Sequence, residues 1–264
     1  MRVSVSVTNF SWRGGDLDEH LSRIAQAADR GGLYGVWVAD HLLQADPYGA
    51  RPGETEMLEA YTTLGFLAAR TERVRLGTLV TGVTFRPPAL LVKAVTTLDV
   101  LSRGRAMFGV GAGYEGDEAA AMGLPLPPVA ERFERLEETL RIARQMWAGD
   151  ESPFRGRHYT LARPVHSPST VVRPHPPILI GGTGERRTLP LVARYADACN
   201  VFDIPDGGAT VDILLKTVRA SRGDDLGRVL DRCSFLLDEI AVRDRDLPLR
   251  DGALVDVLPP FAGG

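Results

Sequence analysis

The sequence predicts an α/β protein of the (β/α)8 TIM-barrel class, and three observations predict it. Short apolar or alternating segments take turns with segments of helical period. The alternation runs from residue 3 to about residue 203. Six of the strand-like segments end in glycines or polar side chains. Strands that alternate with helices make parallel βαβ units. Two parallel architectures place ligands at the carboxyl ends of strands: the doubly wound open sheet and the closed barrel. In an open sheet only the strands at the switch point contribute, so polar ends on all six strands suit a barrel rim better. The 264 residues fit one barrel domain, 1–264, since such a domain fills ~250 residues.

The elements follow in order. Val3, Val5 and Val7 alternate with Ser4, Ser6 and Thr8, a strand of period two that ends in Thr8-Asn9-Phe10. Leu17, Leu21, Ile24 and Ala28 set a helix over 16–30, which Gly31-Gly32 stops. Residues 35–40 form a second strand ending in Asp40-His41, and 57–70 a helix with Leu58, Tyr61, Leu64 and Ala68 in register. A third strand, 74–81, ends in polar and small residues from Thr78 to Gly82. Pro87-Pro88 opens a helix over 88–102, and 106–111 is a fourth strand running into Gly111-Ala112-Gly113-Tyr114. Phe133, Leu136, Leu140, Ala143 and Trp147 make one stripe of a helix over 131–147. The stretch 148–177, rich in Pro, Ser and Arg, reads as an insertion holding a short hairpin. It is expected to border the substrate mouth, with Phe154 and Tyr159 as walls. Ile178 to Ile180 is a fifth strand ending in Gly181-Gly182-Thr183-Gly184, then a helix over 185–196 and a sixth strand over 198–202, which ends in Asn200, Phe202 and Asp203. The 61 residues beyond 203 hold a helix over 212–221 and a seventh strand over 235–242, with no eighth unit. A shortened or irregular C-terminal part, 204–264, is therefore expected.

Composition narrows the function classes. A net charge of −3 argues against a nucleic-acid or anionic-membrane surface. No apolar run reaches ~18 residues, so no membrane helix is expected. The alternating N-terminus is no secretory leader. Cys199 and Cys233 are too few for a disulfide framework and read as small buried thiols in a reducing compartment. A cytoplasmic protein, with a homodimer as one compatible state, is the expectation. The histidines at 20, 41, 158, 166 and 175 have no ligand spacing, so no metal site is expected.

Three constellations carry chemistry. Gly111-Ala112-Gly113-Tyr114-Glu115-Gly116 matches G-x-G-x-x-G after a strand. A dinucleotide site needs a long helix directly after it and an acid at a strand end. Here Gly123, Pro125, Pro127 and Pro128 interrupt, so the glycines signal close backbone approach instead. Gly181 to Gly184 precede a helix start with Arg186 and Arg187, a pattern suited to phosphate. Asp40-His41 at a strand end suits acid–base work, since imidazole titrates near neutrality. The turn from Asp99 to Arg105, at the opposite ends of the strands, reads as structural.

Taken together, Val36-Trp37-Val38-Ala39-Asp40-His41, Leu76-Gly77-Thr78-Leu79-Val80-Thr81, the run Thr97 to Arg105, Gly109-Val110-Gly111-Ala112-Gly113-Tyr114 and Glu131-Arg132-Phe133-Glu134-Arg135-Leu136-Glu137-Glu138 occur in the order seen in a known superfamily. Over residues 2–203 the chain resembles the luciferase-like monooxygenases, and within them the coenzyme F420-dependent oxidoreductases. The resemblance implies a (β/α)8 barrel and hydride transfer between F420 and a small organic substrate. It places Asp40 and His41 beside the deazaflavin ring, with His41 as proton donor or stabiliser of the reduced ring. Thr78, Leu79 and Val80 would support the ring, with a non-prolyl cis peptide at Leu79-Val80. Gly111, Ala112, Gly113 and Tyr114 would line it, and Gly181, Gly182, Thr183, Gly184 and Arg186 would hold the phosphate. Where the sugar-phosphate dehydrogenases of that group carry a catalytic Glu, this chain has Tyr114. With an unperturbed pKa of ~10, Tyr114 cannot take the acid's role, which disfavours that substrate. An FMN-dependent monooxygenase on the same barrel is the runner-up, and a non-catalytic flavin-binding module the third reading.

Overall fold

The computed structural model describes residues 4–8, 10, 16–44, 56–182, 184, 186–201, 210–213, 215–216, 234–237, 240–242, 244–246 and 255–258. Asn9, Thr183, Glu185, Phe202, Asp203, residues 217–221 and Cys233 lie outside them. Contacts divide the chain into two compact units, Ser4–Ile178 and the part from Leu179 onward.

In the first unit the order is β1 (Ser4–Val7), α1 (Leu17–Arg30), β2 (Gly35–Val38), α2 (Ala60–Arg70), β3 (Arg75–Thr78), β4 (Thr81–Gly82), α3 (Pro88–Leu101), β5 (Ala106–Gly111), α4 (Gly116–Ala121), α5 (Val129–Trp147) and a hairpin of β6 (Phe154–Arg155) and β7 (Thr160–Leu161). β1, β2, β3 and β5 pair in that order, all parallel, with Val5 opposite Val36 and Val36 opposite Leu76. The order follows the chain without reversal, which is how a barrel winds and a doubly wound sheet does not. Leu21, Val36, Val38, Leu64, Leu67, Leu76 and Ala106 join one buried cluster between strands and helices.

Local chemistry explains the boundaries. α1 ends in a Schellman turn: Leu33 N–H bonds the Ala28 carbonyl at 3.0 Å, and Gly32 takes φ +72°. α2 begins at Ala60 rather than at 57, because the Glu59 carboxylate accepts from Thr62 N–H at 2.7 Å and caps it there. The expected third strand is two pieces, broken at the cis peptide Leu79-Val80, after which β4 pairs with β5. The turn read as structural is so: the Arg105 guanidinium bonds the carbonyls of Ala68, Thr71 and Val74.

β5 runs close to β3, with all six of its residues buried. A Cβ on Gly109 would stand 1.8 Å from the Thr78 carbonyl oxygen, a backbone atom that cannot rotate away. Gly109→Ala is expected to cost at least about 3 kcal/mol in urea unfolding, at the upper end of overpacking.

The insertion carries the expected hairpin, and the structure places Phe154 and Tyr159 against α5. Glu138 on α5 takes N–H bonds from Arg157, His158 and Tyr159, which pins the hairpin tip to that helix. Phe154 is buried under the Arg141 guanidinium, 5.1 Å from its ring centroid, and Tyr159 faces Arg135 at 5.3 Å. Both rings pack on α5 because its arginines offer cation–π partners.

In the second unit, β8 (Ile178–Gly181) and β9 (Ala198–Val201) are parallel and joined by α6 (Thr188–Tyr195). Residues 211–213 and 215–216 are helical. The expected seventh strand is instead a hairpin of β10 (Ser234–Leu237) and β11 (Ile240–Ala241). A strand not foreseen, β12 (Val255–Leu258), lies antiparallel to both β9 and β10. Among the described residues of the C-terminal part the strand pairing is antiparallel. Cys199 is buried, as its residue type predicts. Among the described residues no helix is long and apolar enough to cross a membrane, and no group of three or more side chains could hold a metal ion.

Candidate active site

The carboxyl ends of β2, β3, β4 and β5 bring Asp40, His41, Thr78, Leu79, Val80, Gly111, Ala112, Gly113 and Tyr114 into one unit. Asp40 and His41 do not act as a pair. Consecutive residues leave an extended segment in opposite directions, and the two side chains find different partners.

The Asp40 side chain is 0% exposed and forms a two-pronged ion pair with Arg86, at 2.6 and 3.0 Å. Arg86 also reaches Glu59 at 2.5 Å and lies 4.9 Å over the Tyr61 ring. Burial works against the Arg86 charge, but Asp40 and Glu59 outweigh it and push its pKa up. The hydroxyls beyond run in one direction. Thr78 Oγ1 donates to the Gly109 carbonyl at 2.9 Å, so its one proton is used. Thr81 Oγ1, 2.9 Å away, must then donate to Thr78, and Tyr61 Oη, 3.1 Å from Thr81, must donate to Thr81. Burial and the Asp40 charge raise the Tyr61 pKa, which keeps that proton in place. The chain brackets Leu79 and Val80, whose peptide is cis as the resemblance implied.

His41 Nδ1 lies 3.0 Å from Glu118 Oε2. The other oxygen of Glu118 accepts from Leu42 N–H at 2.5 Å and Leu43 N–H at 3.0 Å. Glu118 is 3% exposed on α4. The Tyr114 ring stands edge-on to the imidazole, centroids 5.9 Å apart. Burial lowers the His41 pKa, but the bond to Glu118 together with the charges of Glu118, Glu115 and Asp40 outweighs it, for a net rise. Burial raises the Glu118 pKa, while His41 and the two backbone donors lower it more. Both contributions to stability are therefore fully present between about pH 4.5 and 6.5. The His41 part is lost as pH rises through its raised pKa, and the Glu118 part as pH falls through its lowered one.

Gly113 takes φ +76°, and its carbonyl accepts from Arg132 on α5. Beside Gly113, Thr84 is 9% exposed, and its hydroxyl has no hydrogen-bond partner among the described residues.

In the second unit, Gly181, Gly182, Gly184 and Arg186 occupy the β8–α6 connection, with Gly182 at φ +125°. The helix opens at Thr188, not at Glu185. The N–H groups of Arg187, Thr188 and Leu189 close on the Gly184 carbonyl at 3.2, 2.7 and 3.3 Å. Those three donors are spent on the turn, and Arg186 is exposed ahead of the helix.

The sequence reading missed Glu118, Arg86 and Thr84. Glu118 lies on a six-residue helix of Gly, Asp, Glu and Ala, too short and too poor in apolar residues to show a period. Arg86 precedes Pro87-Pro88, which signals a helix start and nothing about an ion pair.

The chain is similar to known proteins. The chain is 36% identical over 179 residues to the F420-dependent glucose-6-phosphate dehydrogenase of Amycolatopsis mediterranei, covering 67% of this chain and 50% of that one. It spans about half the length of the curated relatives it matches. Monooxygenase RslO1 from Streptomyces bottropensis superposes with TM-score 0.66 at 25% identity, covering 84% of this chain and 65% of that one. An F420-dependent secondary alcohol dehydrogenase, solved with an F420–acetone adduct, gives TM-score 0.68 at 21% identity, covering 86% of this chain and 65% of that one. The luciferase-like monooxygenase family profile matches residues 1–236. With a sequential parallel sheet and that match, the chain belongs to the luciferase-like monooxygenase family and has its α/β barrel fold class.

Proposed function

We propose that the chain is an F420-dependent oxidoreductase that moves a hydride between coenzyme F420 and a small organic substrate. The observation that carries this reading is His41, whose Nδ1 is taken by Glu118 while Nε2 has no protein hydrogen bond among the described residues. Its relatives at 34–36% identity named as F420-dependent support the choice of cofactor.

The residues of the first unit fit a flat, polar-edged ring. Leu79 and Val80 are half-buried apolar side chains at the strand end, and Gly111, Ala112 and Gly113 present little beyond backbone. Bound F420 supplies the hydride chemistry. In this reading Leu79 and Val80 back the ring, and Gly111 to Gly113 with Tyr114 border it. Asp40 acts as a positioning residue that holds Arg86 and, through Tyr61, the hydroxyl chain around Leu79 and Val80. His41 holds and releases a proton at Nε2. Tyr114 stands where the sugar-phosphate dehydrogenases of the resembling group carry a catalytic Glu and cannot take the acid's role, which disfavours that substrate.

A monooxygenase reading, with FMN as the cofactor, draws on the likeness to RslO1. Fluorescence titration of the purified chain separates the two. Saturable binding of F420 with little response to FMN is expected. Tight FMN binding and no F420 binding would overturn the proposal.

A further inference from the structure

We propose that Glu118 is the positioning residue of the reaction, fixing the His41 imidazole with one proton on Nδ1 so that Nε2 is the atom that exchanges protons. The inference rests on the role proposed for His41. It concerns a residue outside every motif singled out in the sequence.

The geometry makes Glu118 a clamp on a whole turn. One oxygen accepts from the N–H groups of Leu42 and Leu43, and the other faces His41 Nδ1. A carboxylate has only acceptors, so the atom it faces must carry a proton. Neutral His41 therefore has its proton on Nδ1 and a bare lone pair on Nε2. Charged His41 adds its second proton at Nε2, and that proton is the one that leaves. The Nδ1 proton stays against Glu118 throughout. The backbone bonds matter as much as the charge, because they stop the carboxylate from rotating away and hold the strand end at fixed distance from α4. A buried carboxylate with three donors is well satisfied.

Other charged or titratable groups near His41 do not replace Glu118. Tyr114 meets the imidazole only by its ring edge, while Glu115 and the Arg86-bound Asp40 act through space without a bond to the ring. A purely structural Glu118 would cap the 41–43 turn and leave the tautomer of His41 indifferent to its charge.

The test reads the imidazole directly in the cofactor-free full-length chain. Nitrogen NMR of histidine-labelled protein, with the His41 signals assigned by their loss in His41→Gln, gives both the tautomer and the titration midpoint. The wild type is expected to carry the neutral-form proton on Nδ1. In Glu118→Gln the amide can donate to Nδ1, so the proton should move to Nε2 and the midpoint should fall by about one unit or more. Glu118→Asp is expected to restore the Nδ1 proton and part of the midpoint. A wild-type neutral form protonated on Nε2 overturns the proposal, as does an unchanged tautomer and midpoint in Glu118→Gln. If Glu118→Gln does not fold by circular dichroism, the wild-type tautomer and Glu118→Asp still decide: an aspartate that leaves the wild-type tautomer lost overturns it. Failure of F420 to bind the wild type would remove the proposed function and leave this result standing, so the two failures are distinguishable.

Discussion

Replacing His41 with alanine should lower F420-linked turnover by about 10²–10⁴-fold, the usual loss when a positioned acid–base group is removed. Coenzyme binding should stay close to wild type, because the apolar backing and the glycine loop do not depend on the imidazole. The fold should survive, since Glu118 keeps two backbone donors when His41 is gone. Turnover is followed by the coenzyme's visible absorbance with whichever alcohol or ketone the wild type accepts from a panel. A His41→Ala chain that binds F420 and keeps full turnover would remove the proton-transfer role. The split between rate and binding matters here: a loss confined to binding would make His41 part of the wall.

Arg86→Ala should destabilise the chain by about 3–5 kcal/mol, the cost of leaving a buried charge without its partner. The Asp40 side chain is 0% exposed, so water cannot replace the guanidinium. Tyr61 would lose its cation as well. Removing both charges should cost much less. A chain with Asp40→Asn and Arg86→Met together is expected to recover most of the lost stability, since the charge that remains without Arg86 is Glu59, which is exposed to water. Urea unfolding of the wild type, Asp40→Asn, Arg86→Met and the double variant closes the cycle. If Arg86→Ala unfolds at the wild-type midpoint, Asp40 is not held by this ion pair and its positioning role falls. Coenzyme binding adds a second readout: the double variant, though stable, lacks the ordered contacts around Leu79 and Val80 and should bind F420 more weakly.

The fold between residues 4 and 201 was largely legible because its signals are local. The alternation of Val and Ser over 4–7, the helical stripe over 129–147 and the paired glycines after Arg30 each act within a few residues, and each element appears where its pattern lies. The strand-end rule also located most of the candidate site, since parallel βαβ winding places those ends together whatever the side chains do. The errors have physical causes. One expected strand over 235–242 is a hairpin, and Val255–Leu258 was passed over beside Pro259-Pro260. Short apolar runs do not say whether they pair parallel or antiparallel, because that depends on which strand lies next to them. The helix after Gly184 was expected three residues early, because nothing local reveals that the Gly184 carbonyl gathers three N–H groups.

By itself the sequence determined the period of each segment, the stops between them, the glycine-rich approaches and the polar strand ends, since these are properties of neighbours along the chain. It also supplied His41 as the one imidazole at such an end. Only the tertiary structure decided what each charged group does. Glu118 meets His41 across 77 positions, and Arg86 meets Asp40 across 46. No local pattern marks either pair. Burial makes the choice of partner compulsory: a carboxylate withdrawn from water must find donors, and the packing of α4 and of the β4–α3 connection settles which donors are within reach. Asp40 thereby became a buried anchor, and the proton-handling role passed to the imidazole that Glu118 holds.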